Sequence, residues 1–189
     1  MKIVDDIKLE IMDMDEKKII LFIFSLLRRQ KQTFEGLVDL NCENQSVSIN
    51  MIFDDLKGFM SNMYESNMKY TRIPEEYLDW NTWGEVDECI LENYIFFLET
   101  LNAFIGQLSH TDDIDYVFVQ CNFEMLQNIL FNFELWSGED EESFVQNEYV
   151  QVEKERELRD IKLIKDDNYN VKINSDETIV DRDIFMVCF

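Results

Sequence analysis

Only one histidine, His110, stands in the chain. Imidazole acid–base catalysis and multi-histidine metal sites therefore have almost no material to work with. The four cysteines, Cys42, Cys89, Cys121 and Cys188, are far apart and form neither a C-x-x-C pair nor a zinc spacing. Cys89 and Cys121 fall in apolar helical stretches, where a thiol acts as a small core residue. A Cys–His nucleophile would have to recruit His110, and no flanking motif supports one. Gly36, Gly58, Gly84, Gly106 and Gly138 stand alone, so there is no phosphate-cradling glycine loop and no nucleophile elbow. Carboxylates are the one abundant chemical resource. Asp54-Asp55, Asp112-Asp113 and Asp166-Asp167 could each offer oxygen to a hard cation. None follows the calcium-loop pattern, and adjacent acids diverge on a helix. The expectation is a non-enzymatic protein with no cofactor and no metal site.

Charge points instead to binding. Forty acidic residues against 17 basic ones give a net charge of −23, whereas solubility needs a magnitude of only about 2–8 in a small domain. Such an excess destabilises the compact state through self-repulsion. One explanation is bland: a highly soluble, salt-adapted protein or adaptor. The sharper one is a surface matched to a basic protein. Direct nucleic-acid binding and anionic membranes both require the opposite sign. Apolar residues make up 46% and aromatics 13% of the chain, too rich for acidic disorder. Its 189 residues suffice for a single domain with its own core. Met1–Glu10 is acidic and lacks the apolar centre of a signal peptide. The longest apolar run, Ile19–Leu27, is too short for a span of about 20 residues. A cytoplasmic protein with reduced thiols is expected.

The elements that must position these groups read as helices. Gly and Pro are scarce, with five and one, which favours an all-α, single-domain bundle of about five helices over residues 1–189. The first segment, from Asp15 to Leu40 with Asp13 or Asp15 as cap, is apolar around most of its circumference and should be central. A second starts near Ser46 or Ser48 and carries Ile49, Ile52, Phe53, Leu56, Phe59, Met60 and Met63 at helical spacing. The third covers Val86–Leu108. A fourth, capped by Thr111 or Asp112, carries a stripe ending at Phe133, and the short connection between these two predicts antiparallel packing. The fifth, Glu142–Lys165, is thinly apolar, carries the repulsive i,i+4 pair Glu153 and Glu157, and reads as lying outside the bundle. Residues 168–189 alternate loosely and could form a short C-terminal β-hairpin docked on the helices.

Two stretches carry a resemblance: Lys18–Leu40 (KIILFIFSLLRRQKQTFEGLVDL) and Val145–Lys165 (VQNEYVQVEKERELRDIKLIK). The chain is similar there to the YjaG-like family of uncharacterised small bacterial all-helical proteins. In that family a long apolar first helix runs into a charged end and an aromatic turn, and a charged helix closes the chain. The resemblance implies an all-α bacterial protein and carries over no catalytic residue. The Pro74 loop and the Cys188-Phe189 tail depart from it.

Two surface segments combine acids with aromatics or precede a helix. One is the irregular stretch with Glu75, Glu76, Asp79, Trp80 and Trp83; the other is the run Glu139, Asp140, Glu141 and Glu142. Acids would attract a partner over distance and tryptophans would anchor it. Each has a simpler reading: the tryptophans fold over the core, and the four acids favour a helix N-terminus. Together they suit an immunity or inhibitor protein that neutralises a basic toxin, such as a nuclease domain, by covering its positive active-site surface. A non-catalytic structural or adaptor protein and a DNA-mimic inhibitor are the alternatives.

Overall fold

The structure is a computed structural model, and it describes residues 1–38, 43–62, 72–79, 81, 88–108, 117–138 and 140–171. Among them are seven α-helices and no strand: α1 (Lys2–Ile11), α2 (Glu16–Val38), α3 (Glu43–Ser61), α4 (Glu88–Leu108), α5 (Val117–Asn132), α6 (Glu141–Gln146) and α7 (Glu148–Lys165). A 3-10 turn spans Glu75–Leu78. The expected all-α class holds. The suggested hairpin lies outside the described residues apart from its first few positions.

α2 is the centre of the bundle, as its sequence demands. Every residue from Ile20 to Gln30 is buried, and the helix packs against α3, α4, α5 and α7. Asp15 sets its start by accepting from the Lys18 backbone N–H at 3.0 Å. α3 turns Ile49, Ile52, Phe53, Leu56, Phe59 and Met60 inward. Phe53 meets Phe24 of α2 and Phe97 of α4 at ring distances of 5.9 and 6.2 Å, within the range of favourable aromatic pairs. Ile73, fully buried, ties the 3-10 segment to α4 through its N–H, which donates to Asn102 at 2.7 Å.

Three features differ from expectation. First, Lys2–Ile11 is a helix, with Ile3, Val4, Ile7 and Ile11 forming an inward stripe. α1 packs on α5 and α7; Lys154–Asp6 at 3.0 Å and Lys165–Glu10 at 3.8 Å bind it to α7, and Lys165 also pairs with Asp13, just past its end, at 2.8 Å. Second, the fifth segment is broken at Asn147. The Asn147 backbone is extended; its side chain accepts from the Tyr149 N–H and donates to the Leu135 carbonyl, both at 3.0 Å, so it restarts the helix as a cap. Third, α7 is not peripheral. Val150, Ile161 and Ile164 are buried against the core, and so are Glu153, Glu157 and Asp160. The charged residues that suggested an outer helix are among those facing inward.

No helix among the described residues is long and apolar enough to cross a membrane.

Candidate functional site

The segments expected to touch a partner are not equivalent. Glu75, Glu76 and Asp79 are exposed. Glu75 pairs with Arg72 at 3.1 Å, and Asp79 accepts from the Asn81 backbone and side chain at 3.0 and 2.8 Å. The 3-10 turn is held down by Tyr77 and Leu78, which pack on the core. Trp80, Trp83 and Glu139 lie outside the described residues, as does His110. Asp140, Glu141 and Glu142 form the exposed start of α6. Asp140 caps that helix, accepting from the Ser143 N–H at 2.6 Å, and Glu141 accepts from the Lys2 N–H at 2.9 Å, joining α6 to α1. The simpler reading of this acidic run, service to a helix N-terminus, therefore describes Asp140 well.

Beside that run is a feature the sequence did not single out. Phe131, Asn132, Glu134, Leu135, Trp136 and Ser137 line an open hollow of about 570 Å³ at the α5–α6 junction. α5 ends in a Schellman arrangement: Leu135 N–H donates to the Leu130 carbonyl at 2.8 Å and Glu134 N–H to that of Phe131 at 3.1 Å. This places Glu134 in the left-handed region at φ 56°, where glycine is the usual occupant. Gly138 is also left-handed, at φ 76°, and a Cβ there would stand 2.9 Å from the Phe131 ring. The Trp136 indole donates to Ser143 Oγ at 2.9 Å and its ring meets Phe144 at 5.4 Å, fixing the hollow's wall to α6. Phe131 remains 57% exposed.

The second unusual constellation is internal. Arg29 of α2 is fully enclosed and faces three carboxyl groups of α7. Its Nε and Nη2 donate to Glu153 at 3.0 and 2.9 Å, and its Nη1 donates to Asp160 at 2.5 Å. Asn122 of α5 donates to Glu153 at 3.0 Å and to Glu157 at 2.7 Å, and accepts from Gln30 at 2.7 Å. Arg28, next along α2, donates to the Val171 carbonyl. Burial opposes the charge of Arg29, but Glu153 and Asp160 outweigh it and push its pKa above the ordinary value. Burial, reinforced by Glu153, pushes the Glu157 carboxyl well above the carboxylate range against the opposing pull of Arg29 and Asn122. Its Oε2 has no hydrogen-bond partner. Burial and then Asp160 raise the Tyr169 phenol to about 12.

This network is closed to reactants, and its guanidinium occupies the place that a cation would take among the carboxylates. Among the described residues no group of three or more histidine, cysteine or acidic side chains could hold a metal. Cys121 is half-buried, and burial followed by the nearby Glu124 raises its thiol pKa, the opposite of an activated nucleophile. A sequence signal for the network exists: Val150, Glu153, Glu157, Ile161 and Ile164 share one helical stripe, so the two acids interrupt an otherwise apolar line.

Comparison with known proteins adds no assignment: no family model, no curated protein and no solved structure matches the chain.

Proposed function

We propose that this protein is an acidic inhibitor of the immunity type, which neutralises a basic protein such as a toxin nuclease domain by covering its positive surface. The carrying observation is where the charge resides. Of the acids in the described residues only Glu153, Glu157 and Asp160 are buried, and Arg28 and Arg29 are buried with them. Among the described residues the surplus of acids that contributes to the net charge of −23 is therefore outward. A field of that sign accelerates encounter with a cationic partner and repels nucleic acid. The exposed aromatic hollow beside Asp140, Glu141 and Glu142 supports the same reading, since short-range affinity needs an apolar anchor as well as charge.

The test is capture from the producing cells at low salt, followed by association kinetics of the purified partner across ionic strength. The reading expects one basic protein whose association rate falls by at least about tenfold between roughly 50 and 500 mM salt. It also expects a captured nuclease to lose activity when saturated. Absence of any basic partner, or a rate indifferent to salt, rejects the reading.

A further inference from the structure

Two helix ends place an acid in the left-handed conformation, and they are treated differently. At the end of α7, Asp167 at φ 55° is compensated by an ion pair with Lys18 at 3.0 Å. At the end of α5, Glu134 at φ 56° has no ion-pair or hydrogen-bond partner for its carboxylate among the described residues. Glu134 thus combines two local penalties. A side chain with a Cβ is sterically disfavoured in this region, and a negative charge sits at the negative end of a helix dipole. The same side chain lines the hollow, with the exposed ring of Phe131 close by in sequence and in space. Local strain held at an exposed, unpaired charge beside an exposed ring is what a binding site would retain and a merely structural turn would not.

We propose that the hollow receives an arginine side chain of the basic partner, the guanidinium pairing with Glu134 and its planar face lying on the Phe131 ring. This deepens the inhibitor reading and rests on it for the identity of the partner. Arginine fits better than lysine because a planar, weakly hydrated cation can stack on a ring while its N–H groups meet a carboxylate. The volume of about 570 Å³ exceeds one side chain, so neighbouring partner residues enter with it. The half-buried Trp136, tied to Ser143, forms a wall that need not move.

The experiment uses the full chain and two probes of equal charge, a tetra-arginine and a tetra-lysine peptide, followed by amide and indole NMR shifts at low salt. The arginine peptide is expected to perturb residues 131–137 first and to bind more tightly than the lysine peptide. Glu134→Gly and Phe131→Ser should each weaken it by roughly threefold, the worth of one exposed ion pair or one exposed cation–ring contact. Glu134→Gly should at the same time raise the unfolding midpoint, which separates lost binding from lost folding. Shifts scattered over the acidic surface, or full affinity in Glu134→Gly, overturn the site and leave the inhibitor reading standing. If neither peptide binds at low salt, both fail.

Discussion

Arg29 holds a buried charge whose removal should strand its carboxylate partners. Its partners come from α7, far along the chain, and Asn122 brings in α5, so a single guanidinium fixes the mutual register of three helices. Deleting the cation alone leaves Glu153 and Asp160 facing each other without water. Arg29→Met should therefore cost about 3–5 kcal/mol, read from the shift in urea midpoint. A midpoint close to the parent's would mean that these carboxyls do not depend on Arg29. Glu157 gives a separate, pH-resolved signature. Its folded pKa is raised, so the folded state keeps a proton that the unfolded chain releases above about 4.3. Its contribution to stability is fully present below that value and is lost as pH rises through the folded pKa. The groups facing it are Arg29 on α2, Asn122 on α5, and Glu153 and Asp160 on α7. Glu157→Gln keeps an acceptor for Asn122 and cannot titrate. Its advantage over the parent should grow as pH rises above the ordinary carboxylate range, and parallel stability curves would show that no proton is stored there.

At the scale of elements, the α5–α6 junction depends on backbone conformation more than on contact area. Gly138 is left-handed, and a Cβ would press against Phe131. Gly138→Ala should lower stability by about 1 kcal/mol and swing the Phe131 ring outward, visible as a lower midpoint and altered Trp136 fluorescence. Gly138→Asn should cost less, because Asn tolerates this region. Equal midpoints for all three proteins would place residue 138 in an ordinary conformation. Periodicity made most of this scaffold legible: the all-round apolarity of Ile19–Leu27 announces a central helix, and the stripe from Ile49 to Met60 announces an amphipathic one. The Lys2–Ile11 helix carries the same signal in Ile3, Val4, Ile7 and Ile11, but in so short and charged a stretch it reads weakly. Glu153 and Glu157 mislead because charge normally marks the wet face. Their place on the apolar stripe of α7 is the local hint that they turn inward, while the partner that makes this tolerable, Arg29, lies more than a hundred residues away, a tertiary fact that local pattern does not encode. The hollow is hidden for a related reason: Glu134 bears no turn signature, so nothing in its type announces a left-handed helix end.

For the molecule as a whole, one charge distribution makes two demands of opposite sign. Outward carboxylates repel one another in the isolated protein and attract a cationic partner in the complex. Screening weakens both effects over a Debye length of about 10 Å at 0.1 M salt and about 3 Å at 1 M. The free protein should therefore gain stability as sodium chloride rises from roughly 10 to 500 mM, with a midpoint higher by several degrees, while affinity for the basic partner falls over the same range. The buried network is shielded from mobile ions and should contribute to neither trend. Arg29→Met should then shift the whole stability curve downward without changing its slope against salt. A protein whose acids served only solubility would show the first trend and lack the second. Flat stability across the salt range would instead indicate that the surface carboxylates are already compensated locally, and the electrostatic basis for attracting a partner would be lost with it.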